Sequence, residues 1–257
     1  MTSTHQPFLI RATLAAGIAQ AAPWGIALDS LLAAQLWKAK KAHLRSSGAD
    51  LPPSLHDNPD PEDLDLPLQR CETTNAAGEP LWHWMATTAW PENVPVHAPP
   101  AVHTWTGRLD HRATAQLATS LPKTVSDRQG RYRAHCMPLL VTTCTAVTWT
   151  GVGDADAVLE LLEPIQAIGK KRTSGEGHVL RWEAHPLTVD TWAAGHLHPR
   201  GDLGRTTPAA CLTRRPTTTP TPILDGGYGT AGLRPPYMHR SRQMPLHLPV
   251  NLDHHAH

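Results

Sequence analysis

The sequence predicts an α+β fold, on three observations. Segments of strand composition recur through the first 185 residues, two segments with helical spacing fall among them, and Pro-rich or charged stretches separate the elements. At 257 residues the chain is long enough for one elaborated domain or two small ones.

The elements follow in order. Residues 8–14 alternate, with Phe8, Ile10, Ala12 and Leu14 on one face and Leu9, Arg11 and Thr13 on the other, as in a half-buried strand. Over 26–44, Leu28, Leu31, Leu32, Gln35, Leu36 and Ala39 form a helical stripe. Lys38, Lys40, Lys41, His43 and Arg45 gather at its C-terminal end, where cations favour the helix dipole. Residues 50–67 carry six acids, no base and five prolines, which predicts an exposed insert without a regular core element. Strand composition returns over 81–90, 138–150 and 177–183, and a short helix with acidic residues at its start is expected over 154–163. Strand, helix, strand, strand, helix, strand is the ferredoxin-like order. A long basic insert, near 91–137, separates the middle strands, and residues 186–257 form a Pro- and Arg-rich segment expected to be irregular, extended and partly mobile over the sheet.

Net charge is only +1, but it is unevenly spread. Residues 1–49 hold five bases and one acid, residues 50–100 one base and nine acids, and residues 101–257 seventeen bases and twelve acids. Arg outnumbers Lys 17 to 6, a bias that suits bidentate contact with phosphate. Cys71, Cys136, Cys144 and Cys211 form no CxxC pair, so packed, reduced thiols are expected rather than a zinc ribbon or a redox dithiol. No stretch reads as a membrane span or signal peptide, which predicts a cytoplasmic protein with no membrane partner. GxxxxGK[ST], GxSxG and HExxH are absent, as is GxGxxG in a strand-to-helix setting, so no metal-dependent or covalent catalysis is specified.

The most informative stretch is the loop Gly169, Lys170, Lys171, Arg172, Thr173, Ser174, Gly175, Glu176, Gly177. Its glycines allow tight bends that bring backbone N–H groups near an anion, and its three adjacent cations attract phosphate whatever the base sequence. Arg128, Arg131, Tyr132 and Arg133 form a second cluster, able to grip a phosphodiester backbone while Tyr132 stacks on a base. Arg234 and Tyr237 lie in a third, C-terminal cluster, near which His239, Arg240 and Arg242 also fall. Most of the nine Trp are expected in the core, with Trp24 singled out by its place between a strand and a helix beside Pro23 and Gly25. His196 and His198, like His254, His255 and His257, have no Cys or carboxylate at a recognised metal-binding spacing. They are expected as solvent-exposed histidines, and no metal or cofactor is assigned. His43, with Lys41, is the best candidate for the general base of a ribonuclease.

The helix opening from Trp24 to Leu32 and the basic glycine-rich loop beside the last strand resemble the RAMP superfamily of CRISPR-associated proteins, whose RRM-like unit is ferredoxin-like. Together with the Leu233 to Tyr237 segment, they look most like the Cas five subunit of type IV CRISPR systems. That resemblance implies a non-catalytic subunit that caps a ribonucleoprotein effector and grips the 5′ handle of the crRNA. It also implies docking on Cas seven-like backbone subunits and a large subunit, with target nucleic acid met only through the complex. The loop role falls on Gly169, Lys170, Lys171, Arg172, Ser174, Gly175 and Gly177, and the basic insert takes the part of a thumb. The alternative is a metal-independent endoribonuclease of the same superfamily that processes CRISPR precursor RNA.

Overall fold

The computed structural model describes residues 5–20, 22, 24–52, 60–75, 77–94, 101–107, 110, 112, 116, 128, 133–172 and 175–252. In chain order its elements are β1 (Gln6–Leu14), α1 (Leu28–Ser46), β2 (Arg70–Thr74), β3 (Pro80–Trp84), β4 (Trp90–Glu92), β5 (Ala101–Gly107), β6 (His135–Val141) and β7 (Ala146–Gly153). There follow α2 (Ala155–Leu162), β8 (Val179–Pro186), α3 (Thr191–His196), α4 (Ala209–Thr213), β9 (Tyr228–Gly232) and β10 (Gln243–His247). This is a mixed α+β fold with antiparallel strand pairing throughout its named ladders.

The alternation along β1 sets the main sheet. β1 lies between β7 and β8, and β4 extends the sheet beyond β7, giving the order β4-β7-β1-β8. Phe8, Ile10, Ala12 and Leu14 point to one face, joined there by Val147 and Trp149 of β7. Leu28 and Leu32 of α1 and Val158 and Leu162 of α2 close over them to form the main core. Each such fully buried side chain contributes about 1.5–3 kcal/mol. The Trp149 indole donates to the Ile26 carbonyl at 2.8 Å and that of Trp182, which is half-buried, to the Ile165 carbonyl at 3.0 Å, so these large rings are fixed in orientation. Asp154 caps α2 by accepting from the Ala157 amide at 3.1 Å.

All eight residues of β7 are buried, so its second face is covered too. The cover comes from the C-terminal segment: Thr150 Oγ1 donates to the Leu197 carbonyl at 3.1 Å, and Val152 packs with Met85 and Ala194. This segment was expected to be irregular, yet it forms α3, α4 and the β9–β10 hairpin around its own apolar clusters, one of Trp192, Leu197, Leu203 and Cys211 and another of Ala231, Leu233 and Leu246.

Other expectations are also corrected. The stretch 138–150 divides into β6 and β7, because Thr142 leaves the sheet to exchange two backbone hydrogen bonds with Ile18, each 2.9 Å. The stretch 81–90 divides into β3 and β4. β3 pairs with β2, which was not expected because Arg70-Cys71-Glu72-Thr73-Thr74 carries almost no apolar signal. The described part of the acidic insert is no free loop. Leu66 is buried, Glu62 pairs with Lys40, and Asp63 pairs with Arg234 at 3.0 Å and Arg242 at 2.8 Å. No helix among the described residues is long and apolar enough to cross a membrane.

Arg205 joins the layers. Its side chain is 1% exposed and donates to the carbonyls of Trp84, Ala86 (3.1 Å), Leu233 (3.0 Å) and Thr206 (3.3 Å). It lies 4.0 Å from the buried carboxylate of Asp29 in α1, which accepts the Tyr237 hydroxyl through both oxygens at 2.8 Å. Burial raises the Asp29 carboxyl to about 6, against the pull of Arg205 and the Tyr237 hydrogen bond.

Two outcomes follow. Arg205→Ala removes a donor from three distant carbonyls and leaves Asp29 without its counter-charge, and should lower unfolding free energy by about 3–5 kcal/mol in chemical denaturation. Because the folded-state value of Asp29 lies above its ordinary 3.8, its contribution is in place below that value and is lost as pH rises through about 6. Denaturation of wild type and Asp29→Asn across this range should show wild type gaining stability relative to the variant as the pH falls, by about 3 kcal/mol in total. A pH-independent difference would contradict this.

Candidate nucleic-acid interface

The basic loop joins α2 to β8 and is closed at its base by the Ala167–His178 bridge, the Ile168 amide reaching the Gly177 carbonyl at 3.0 Å. Two further bonds moor it to the chain leaving β1: Lys170 N to Ala19 O at 2.7 Å, and Gly177 N to Gly17 O at 3.2 Å. Gly169, Gly175 and Gly177 adopt φ of 89°, 92° and 64°. At Gly177 the requirement is also steric, since a Cβ would stand 2.0 Å from the Ile168 carbonyl oxygen.

Of the loop amides, those of Lys170, Gly175 and Gly177 donate to carbonyls of the chain and so do not face an anion. Lys170 and Arg172 are exposed, and neither enters an ion pair among the described residues. Lys171 is different. It takes the left-handed conformation at φ 55°, which costs a non-glycine residue about 1 kcal/mol, and its ammonium sits 3.3 Å from the centre of the Trp105 ring. Ser174 lies outside the described residues.

Trp105 belongs to the β5–β6 hairpin, built from the two ends of the basic insert. His103, two residues before Trp105 on the same face of β5, meets Glu176 of the loop at 2.8 Å. The Trp105 ring also stacks on His135 with centroids 5.8 Å apart. The hairpin and the loop therefore share one surface, which presents an indole, an imidazole and the two cations Lys170 and Arg172. His103 and Trp105 were not singled out in the sequence. The basic insert drew attention to its arginines, and only the fold brings these two to the loop.

The remaining candidates do not converge there. Arg128 and Arg133 are exposed, Arg133 two residues before β6, while Arg131 and Tyr132 lie outside the described residues. Arg234 forms a two-pronged contact with Asp63 at 3.0 and 3.3 Å and lies over the Trp82 ring, and Tyr237 bonds to Asp29. Both side chains hold the fold together, which removes them from the set facing a ligand. Trp24 is half-buried in the turn before α1. His43 is exposed near the end of α1. Lys41, two residues away and so about 200° around the helix, lines a cavity of about 450 Å³ with Trp37, Pro61 and Pro235.

The expected exposure of His196 and His198 is overturned, since both are buried. His196 Nε2 lies 2.9 Å from His83 Nε2 and 3.3 Å from Cys211 Sγ, which is in turn 3.4 Å from Cys71 Sγ. Burial, and secondarily the nearby Arg205, lowers His83 to about 3, so its imidazole is neutral. Hydrogen bonding to Cys211 lowers the Cys71 thiol and raises that of Cys211. His254, His255 and His257 lie outside the described residues.

No protein-family model matches this chain, and comparison with curated proteins finds no significant match.

The steric requirement in the loop is testable. Gly175→Ala meets open space and should cost about 1 kcal/mol from its positive φ alone. Gly177→Ala must also displace the Ile168 carbonyl, and thermal denaturation should show it to be the more destabilising by at least about 2 kcal/mol.

Proposed function

We propose that this chain is an RNA-binding, non-catalytic subunit of a type IV CRISPR effector complex, gripping the 5′ handle of a crRNA and capping the row of Cas seven-like subunits. In this reading its fold is the ferredoxin-like RAMP unit. What supports that assignment is the sheet order β4-β7-β1-β8, in which α1 connects β1 to the β4 edge and α2 connects β7 to β8. The observation that carries the functional reading is the exposed pair Lys170 and Arg172, without acidic partners among the described residues, in a loop fixed beside Trp105. Most other described arginines of the tail and sheet are held by carboxylates or carbonyls, including Arg11, Arg205, Arg234 and Arg242.

RNA bound here contacts the two cations through its phosphates and stacks a base on exposed ring surface of the hairpin. Lys171 positions the loop through its Trp105 contact rather than serving as a third equivalent phosphate ligand. Arg128 and Arg133 extend the basic surface along the insert. The ribonuclease alternative gains no support from His43 and Lys41, which project to different sides of α1.

The double variant Lys170→Ala/Arg172→Ala, which leaves the Lys171–Trp105 contact in place, should weaken binding of CRISPR-repeat RNA roughly 10–100-fold in a filter or anisotropy assay. The slope of log affinity against log salt should flatten by about 0.7 for each phosphate the variant no longer neutralises. Unchanged affinity and slope would remove the loop from the RNA path.

A further inference from the structure

We infer that Cys71, His83, His196 and Cys211 form a structural zinc site that fastens the C-terminal segment to the β2–β3 hairpin. Their four potential ligand atoms all lie within 4.8 Å of one another, at the junction of β2, β3, α3 and α4. Zinc–ligand bonds of about 2.0–2.3 Å at tetrahedral angles place ligand atoms about 3.3–3.8 Å apart. The N–N, N–S and S–S separations of 2.9, 3.3 and 3.4 Å fall within a few tenths of an ångström of those edges.

The backbone explains how residues so distant in sequence meet. Cys71 and His83 are direct partners in the β2–β3 register, so their side chains share a face of the hairpin. His196 ends α3 and Cys211 lies within α4, both packed in the cluster that includes Trp192 and Leu203. The ring orientations suit ligation. His196 Nδ1 is 2.7 Å from the Trp192 carbonyl and donates its hydrogen there, which turns the Nε2 lone pair toward the cluster. The Trp192 ring stacks on the same imidazole with centroids 4.4 Å apart, preventing it from turning. His83 is fully buried with its Nε2 2.9 Å from His196 Nε2, so that nitrogen faces the cluster, while its Nδ1 has no hydrogen-bond partner.

The chemistry selects the metal and its role. Two cysteine sulfurs and two imidazole nitrogens gathered within 4.8 Å suit zinc, and the mutual approach of all four leaves room for a single ion. Four protein ligands, three of them buried, complete the coordination without an open position, so the ion is structural rather than catalytic. Loading releases the thiol protons and stabilises the folded state.

The test is metal analysis of the full-length protein purified without chelator, followed by cobalt substitution. The site predicts about one zinc per chain. The cobalt form should show thiolate-to-cobalt charge-transfer absorption and the intense visible bands of a tetrahedral centre. Chelation should lower the melting temperature by at least about 10 °C. Cys136→Ser, at an exposed cysteine outside the cluster, should keep the metal, whereas Cys71→Ser and His196→Gln should each lose it. Folded wild-type protein without zinc, whose melting temperature responds to neither zinc nor chelator, would overturn the inference. So would a Cys71–Cys211 disulfide in the native protein, or full zinc retention by Cys71→Ser/Cys211→Ser.

Discussion

A buried guanidinium, that of Arg205, connects parts of the chain that sequence keeps far apart. Its nitrogens reach backbone carbonyls at the end of β3, in the following crossing and just past β9, and its charge faces Asp29 at the start of α1. A charge so completely removed from water is tolerable only when its donors are satisfied, and here four carbonyls and a carboxylate share that task. The geometry of α1, the β2–β3 hairpin and the C-terminal segment is thereby fixed together. The tail is a layer of the fold that, with Met85 and Thr87, covers the second face of β7.

The same electrostatic accounting separates structural cations from free ones. Arg234 and Arg242 meet Asp63, Lys40 meets Glu62, and Arg11 meets Glu92 and Glu183. A near-neutral chain thus neutralises much of its positive charge internally, and the acidic insert supplies part of the counter-charge. Lys170 and Arg172 stand out because the loop that carries them is rigidly moored while their side chains meet no acid among the described residues. Mooring limits the entropy lost on binding, and exposure leaves their charge available to phosphate.

The sequence revealed the parts of this architecture that follow local rules. The period-two pattern of 8–14 gave most of β1, and the leucine spacing and the acidic residues at the start of 154–163 signalled α1 and α2. Breaks inside uniform strand composition were hidden, because Thr142, Thr143 and Thr145 have the same β-branched character as their flanks and leave the sheet only through tertiary bonds. β2 was illegible for the opposite reason, its polar residues lacking any hydrophobic pattern. Within the candidate interface the glycines and cations were evident, but the indole opposite Lys171 was not. The Cys–His cluster had no spacing signal at all, since its members come from four elements joined only by the tertiary fold. Arg234 and Tyr237 were misleading, because composition cannot distinguish an arginine that grips a ligand from one that grips Asp63.

The most direct test of the central claim is ultraviolet crosslinking of the full-length protein to CRISPR-repeat RNA, with the crosslinked peptides mapped by mass spectrometry. Crosslinks are expected in the loop around Lys170 and Arg172 and on the β5–β6 hairpin near Trp105, competed by unlabelled repeat RNA. Crosslinks confined to the exposed side of α1 around His43, with the loop and hairpin untouched, would contradict RNA binding on this surface.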